Sequence, residues 1–349
     1  MSTHNQAGPF SSDAPNLDFL RAVAVLAVFA CHFVGIRTST GEIWDPVWHL
    51  GKLGVQMFFV HTSLVLMWSA ERLKLEGWRL FASFYVRRVF RIYPLSIFCV
   101  VAAYCFFHEQ WHLIDLWTNL SLTQNLFRRE SIIVPLWSLP LEIQMYIVLP
   151  LLFLLFRERS LKWLFGVWLV SVPLMMMQPK LGDPFLVLLY GPCFLGGVLA
   201  WRVMRTLGPA RLPGWLWPPA IFVASAIWMV AGPRSADYCR AAFGLCLGLS
   251  IPLFREIPWK SVRTLSHLVA KYSYGIYLSH FSILLFVFRR LPHHGRFVHW
   301  TALAALTIVV PLALYHGIEA PAIRWGKTVA GWITRRRDAV QDFACVTSH

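Results

Sequence analysis

Arg21 and His32 stand eleven positions apart in the stretch LDFLRAVAVLAVFACHF, residues 17–33. Eleven steps of about 100° bring an α-helix back almost to its starting azimuth, and at 1.5 Å per residue they cover roughly 16 Å. Both side chains therefore lie on one helical stripe, three turns apart, in an otherwise apolar segment. Histidine titrates near neutral pH when unperturbed and can act as a general base on a hydroxyl. Arginine cannot shed its proton, and a charge inside a membrane segment generally faces a cavity or a partner. Taken singly, Arg21 can snorkel to the inner headgroups and His32 can anchor at the outer interface. Taken together they suggest a polar path. Asp18 is spaced to pair with Arg21, whereas Cys31 points away from His32 because adjacent helical residues diverge.

Five further stretches carry chemistry. In FYVRRVFRIYPL, residues 84–95, Arg87 and Arg91 share a helical face with Arg88 beside them, and Pro94 is expected to open the next span. Such a cluster serves as a charge anchor or as an anion site, since guanidinium groups bind phosphates bidentately. In PLWSLPLEIQMYIVLP, residues 135–150, Glu142 and Gln144 open an apolar run. Glu142 there either complements a helix N-terminus or, at the depth of His32, pairs with that histidine and fixes its tautomer. In YSYGIYLSHF, residues 272–281, Ser273, Tyr274, Tyr277 and His280 form a polar, aromatic stripe that suits a cavity lining. His280 also reads as a satisfied interior histidine, as does His61 in FFVHTSL. Glu319 and Arg324, in HGIEAPAIRWGK, are expected at the membrane interface. No His/Asp/Glu set has metal-ligand spacing. The seven cysteines form no C-x-x-C pair and read as small buried apolar residues.

These side chains need a scaffold, and composition says which. The 349-residue chain is 57% hydrophobic and 14% charged, with mean hydropathy +0.55. Soluble domains carry about 25% charged residues. Long apolar runs of roughly 17–25 residues mark membrane helices. Ten are expected, near 17–36, 53–70, 92–108, 141–156, 161–178, 184–201, 214–231, 239–254, 272–288 and 300–317. The fold class is thus all-α, a polytopic membrane bundle with no appended soluble domain. Residues 1–16 read as a cytoplasmic tail, 17–337 as the membrane domain and 338–349 as a second cytoplasmic tail. Residues 1–16 lack the basic start of a cleavable signal, so the first span is expected to direct insertion.

Of the 32 Lys and Arg residues, 21 fall in the connections that follow even-numbered spans and 10 on the opposite side, with Arg21 inside a span. The richer side is cytoplasmic by the positive-inside rule, which puts both termini there. The same rule accounts for the net charge of +15 without nucleic acid, for which no binding motif is present.

Six motifs in order resemble the membrane acyltransferase family 3, the O-acyltransferases that decorate lipopolysaccharide, exopolysaccharide, Nod factors, osmoregulated glucans and some antibiotics. LDFLRAVAVLAVFACHF is similar to the family's opening helix, with Arg and His separated by ten residues. GVQMFFVHTSLVL resembles F-F-V-x-S-G-F, and FYVRRVFRIYPL the basic segment ending R-I-x-P. WSLPLEIQMYIVLPLL resembles W-S-L-x-x-E-x-Q-F-Y-x-x-x-P, YSYGIYLSHF the late S-Y-x-x-Y-L-x-H-F helix, and IEAPAIRW the closing E-x-P segment. The resemblance implies an enzyme of the plasma (inner) membrane that moves an acyl group, acetyl foremost, from cytoplasmic acyl-CoA to a glycan or lipid-linked sugar hydroxyl, with no metal. His32 would be the base or acyl-handling residue, Arg21 its required partner, and Glu142 an assistant at the outer mouth. Arg87, Arg88, Arg91 and Tyr93 would steady the donor. His61, Trp137, Ser138, Gln144, Tyr274, Tyr277 and His280 would line the substrate pocket. Two positions depart from the pattern: His61 and Thr62 occupy the Ser-Gly region of the second helix, and Ile143 stands where a second carboxylate is common. The rival classes are a transporter or exporter of a polar or acylated solute, against which the lack of an internal repeat counts, and a structural membrane subunit.

Overall fold

The apolar runs fold as helices because backbone N–H and C=O groups find no partners in hydrocarbon and must bond within the segment. A computed structural model describes residues 14–37, 45–107, 110–206, 210–231, 236–291 and 295–346. Most of the tail 1–16 and the end of the tail 338–349 lie outside these residues. The helices are α1 (Pro15–Arg37), α2 (Asp45–Leu73), α3 (Gly77–Phe107), α4 (Leu113–Leu120), α5 (Leu139–Phe156), α6 (Leu161–Leu181), α7 (Leu186–Thr206), α8 (Trp217–Ala231), α9 (Ala236–Ser250), α10 (Lys260–Leu285), α11 (Arg296–Leu314) and α12 (Ala320–Val346). One isolated bridge, Leu212 to Phe254, is the extent of β-structure among the described residues.

Eight helical stretches among the described residues are long and apolar enough to cross a membrane. Two regions expected as spans fall short of that standard for different reasons. Residues 239–254 lie in a shorter apolar helix, Tyr238–Leu253. Residues 272–288 lie in α10 and its π-helical end, where Lys260, Arg263, Lys271 and the polar stripe dilute the hydropathy. Phe222, Ile227, Val230, Ile308 and Val309 are exposed on the outer surface, as lipid-facing side chains are. The short α4 exposes Leu113, Ile114 and Trp117, the apolar face of an interfacial helix.

One end of the bundle gathers the basic connections. There Arg157 pairs with Glu76 and Arg205 with Glu71, each at 3.2 Å. Asp18 meets His267 at 2.8 Å, not Arg21, because the start of α10 lies over its turn of α1. Asn16 donates to the Arg255 carbonyl at 3.0 Å and closes the same end.

Close helix approach sets the depth at which side chains meet. A Cβ on Gly54 would lie 2.6 Å from the Ala24 carbonyl, so only glycine lets α2 press this tightly on α1. The arginine run is not a loop: α3 continues through Pro94, and its arginines lie inside a 31-residue helix. Before α5 the chain runs through residues 121–138 and a 3-10 turn (Val134–Ser138), whose Pro135 carbonyl and Ser138 hydroxyl bond Tyr277 of α10. That segment carries Glu142 inward. Cys31, Cys99 and Cys193 are buried, but Cys105 and Cys246 are exposed, since they lie on outward faces of their helices.

Candidate active site

Five helices line a cavity of about 80 Å³. α1 contributes Arg21, α2 His61, α3 Arg88 and Arg91, α5 Glu142 and Tyr146, and α10 Ser273, Tyr274 and Tyr277, with Ser138 just ahead of α5. The Arg21 Nε donates to Ser273 Oγ at 2.6 Å, and the Ser273 hydroxyl donates to the Ala270 carbonyl at 2.7 Å. The Tyr146 hydroxyl donates to Glu142 Oε2 at 2.9 Å. Tyr274 donates to the Ile92 carbonyl at 2.8 Å, locking α10 to α3. Glu319 is 1% exposed and pairs with Arg91 at 2.6 Å. Three guanidinium groups and the Glu142 carboxylate thus line one small space, with Glu319 bonded to Arg91, and desolvation strengthens every charge–charge interaction there.

A second chamber of about 420 Å³ opens toward the basic end and is lined by Asp18, Arg72, His267 and Lys271. Arg21, His61, Val65 and Arg91 line both chambers and form the neck between them.

His32 lies elsewhere. Its Nδ1 is 2.9 Å from His280 Nε2, and its ring meets Phe281 edge-on. His280 Nδ1 lies 2.8 Å from the Tyr277 carbonyl and 3.0 Å from the Ile276 carbonyl. A carbonyl only accepts, so His280 Nδ1 carries the hydrogen and its Nε2 presents a lone pair. The His32 Nδ1–H fills that lone pair, which leaves His32 Nε2 as the bare nitrogen. Tyr277 joins the two regions: its side chain lines the cavity, and its carbonyl orients the histidine pair.

Several expectations need correction. Glu142 meets Tyr146 and faces the arginine cavity, not His32, because the segment before α5 carries it inward; His280 takes the place beside His32. On α3 it is Arg88 and Arg91, three residues apart, that face the cavity. Arg87 turns back to Ser83 at 3.4 Å. Tyr93 donates to the Ser121 carbonyl at 3.2 Å, outside the cavity. Trp137 packs on Tyr190, ring centroids 5.7 Å apart, and Gln144 does not line the cavity. Glu319 is buried and paired, not interfacial, whereas Arg324 is exposed. Arg72 and Lys271 escape sequence reasoning, and Glu319, expected at the interface, stands beside Arg91 instead.

A family model described as "Acyltransferase domain" matches residues 15–316. "Acyltransferase MdmB" of Streptomyces mycarofaciens is 31% identical over 168 residues, which cover 43% of this chain and 42% of that protein. "Putative acetyltransferase ORF330" of Acidianus two-tailed virus is 24% identical over 172 residues, 46% of this chain and 49% of that protein. The matched stretches thus span less than half the length of either relative. No solved structure matches.

Proposed function

We propose, from the premise that this chain belongs to the acyltransferase-domain family matched over residues 15–316, that it is a multi-pass membrane O-acyltransferase. It moves an acyl group, acetyl foremost, from acyl-CoA to a hydroxyl of a carbohydrate acceptor such as lipopolysaccharide O-antigen, exopolysaccharide or another glycan. The plasma (inner) membrane holds it, with the basic end and both termini in the cytoplasm.

The observation that carries this reading is the pair of chambers joined at Arg21, His61, Val65 and Arg91. The larger one offers Arg72 and Lys271 to the donor's phosphates. The smaller one offers Arg21, Arg88 and Arg91 within a polar wall. Guanidinium groups suit phosphate recognition, and a buried arginine costs least when an anion is its ligand. The acceptor approaches from the opposite end, where His32 stands.

In the reaction the bare His32 Nε2 takes the proton of the acceptor hydroxyl. The freed oxygen attacks the thioester carbonyl, the C–S bond breaks, and the thiolate leaves and takes up a proton. His280 holds His32 in the tautomer this requires. Arg21 lies three turns away on the same stripe, so the donor's slender arm runs from the arginine chamber toward His32.

Mass spectrometry of surface glycans from cells with the gene, without it, and with His32→Ala at matched membrane levels tests the reading. The expected result is one acyl mass lost in both the deletion and His32→Ala. A modification that survives His32→Ala overturns the base assignment. Unchanged glycans in the deletion overturn the glycan acceptor.

A further inference from the structure

A groove of about 570 Å³ lies between α3, α10 and α11, and the proposed reaction does not use it. Its walls are apolar, with Ala102, Ala103 and Phe106 on α3, Leu278 and Ile283 on α10 and Leu306 on α11. Among the described residues Arg290 is the one charged side chain in its lining. The twelve positions from Leu278 to Arg290 cover about 18 Å at 1.5 Å per residue, close to half of a hydrocarbon core about 30 Å thick. The groove is thus about one leaflet deep, apolar along its length and basic at its outer end. A cavity of about 150 Å³ holds a benzene ring, so about four times that volume admits a hydrocarbon chain.

Arg290 belongs to a basic cluster. Phe288, two residues before it, lies under the Arg37 guanidinium at 5.3 Å and packs edge-on against His299 at 6.0 Å. The end of α1, the end of α10 and the start of α11 therefore meet there, and Arg37, Arg289, Arg290 and Arg296 are all exposed at that end. They are four of the ten Lys and Arg residues on the side opposite the basic connections. Basic residues on the outer side run against the bias that orients the chain, so orientation does not account for them. From Ser282 to Ile318 the sequence has no Asp or Glu to neutralise them. Guanidinium groups gathered in this way suit a phosphate.

An anion at one end with a hydrocarbon chain beneath it describes a lipid. We propose that the groove binds an anionic phospholipid of the outer leaflet, with one acyl chain between α3, α10 and α11 and the phosphate held by Arg290 together with Arg289 and Arg296. The bilayer presents such lipids at high local concentration, so the site fills by mass action. The bound chain fills the space between α3 and the half of α10 that carries His280. The site depends on the chain spanning the membrane with this end outside, and not on the acyl-transfer reaction.

The test uses the full-length protein, purified in detergent, with Arg290→Gln, Ala102→Trp and Val223→Trp. Native mass spectrometry measures the lipid retained during titration with phosphatidylglycerol or phosphatidylcholine. The wild type is expected to hold phosphatidylglycerol about tenfold more tightly than phosphatidylcholine, the effect of one hydrogen bond to a charged group. Arg290→Gln is expected to lose most of that preference. Ala102→Trp fills the groove and is expected to weaken retention of both lipids by about tenfold or more. Val223 is exposed on α8, away from the groove, so Val223→Trp is expected to hold phosphatidylglycerol as the wild type does. Equal retention of the two lipids by the wild type, or a full preference kept by Arg290→Gln, overturns the role of the basic cluster. Wild-type retention by Ala102→Trp overturns the groove as the seat of the chain. A co-purified lipid that Ala102→Trp releases, and whose mass is that of a polyprenyl phosphate and not of a glycerophospholipid, overturns the choice of occupant. If Ala102→Trp fails to fold, Arg290→Gln and the wild-type titrations still decide.

Discussion

The rings of His32 and His280 meet Nδ1 to Nε2 at 2.9 Å, although 248 residues separate them in the chain. Because His280 Nδ1 is committed to the Tyr277 carbonyl, the contact has one direction: His32 donates and His280 accepts. A histidine base depends on which nitrogen is bare, and the hydrogen bond at the other nitrogen sets that.

His280→Ala should therefore lower kcat by about tenfold to a hundredfold, since it releases the tautomer but leaves the base in place. The KM for the donor should hardly change. His280→Asn, whose amide oxygen can accept the His32 proton, should restore part of the rate. Steady-state kinetics of the three proteins decide it, and a pure KM effect would place His280 in donor binding.

Arg21→Lys should weaken donor binding even though it keeps the charge. Lysine has no Nε–H to hold the Ser273 hydroxyl at 2.6 Å, and its ammonium is a point donor without the guanidinium fork. Ser273→Ala should cost about tenfold in KM, the effect of losing a hydrogen bond to a charged group. The double variant should cost less than the sum of the singles, which a double-mutant cycle on donor binding measures.

The Arg91–Glu319 pair should behave asymmetrically. Glu319→Leu leaves the partly buried Arg91 guanidinium without its carboxylate and beside Arg21 and Arg88, and should destabilise by about 3 kcal/mol. Arg91→Met combined with Glu319→Leu should recover much of that stability while donor binding is lost. Thermal unfolding of the purified proteins reads the first effect and calorimetry the second.

Gly54→Val should reduce the amount of folded protein in the membrane, because any Cβ there meets the Ala24 carbonyl at 2.6 Å. Overpacking of this kind costs about 1–3 kcal/mol. Gly166→Val is the control, since a Cβ there meets open space. Fluorescence-detected size-exclusion of tagged variants gives the comparison.

A reporter fused after the C-terminus should be active only in its cytoplasmic form. The Lys and Arg bias sets that orientation. Activity of an exterior reporter at that position would invert the map and exchange the donor and acceptor faces.

The chemistry-bearing residues were legible because polar groups are conspicuous in apolar runs. Arg21, His61, Arg88, Arg91, Glu142, Tyr274 and Tyr277 were all named from the sequence, and all line one cavity. Helical periodicity also carried Arg21 and His32 to one stripe, since azimuth within a single helix follows from spacing alone. The membrane class came from composition, which reflects the solvent that each outward face must meet.

Partners between helices were not legible. Spacing put Arg87 and Arg91 on one helical face with Arg88 beside them, and the rotation of α3 against its neighbours turned Arg88 with Arg91 to the cavity. Glu142 was a plausible partner for His32 until the bonds from Pro135 and Ser138 to Tyr277 set the depth of α5. His280 took that place, and Glu319 moved from the expected interface to Arg91. Depth and rotation of one helix against another arise from packing over the whole bundle, as at Gly54 on α1. Periodicity within a helix contains no record of them.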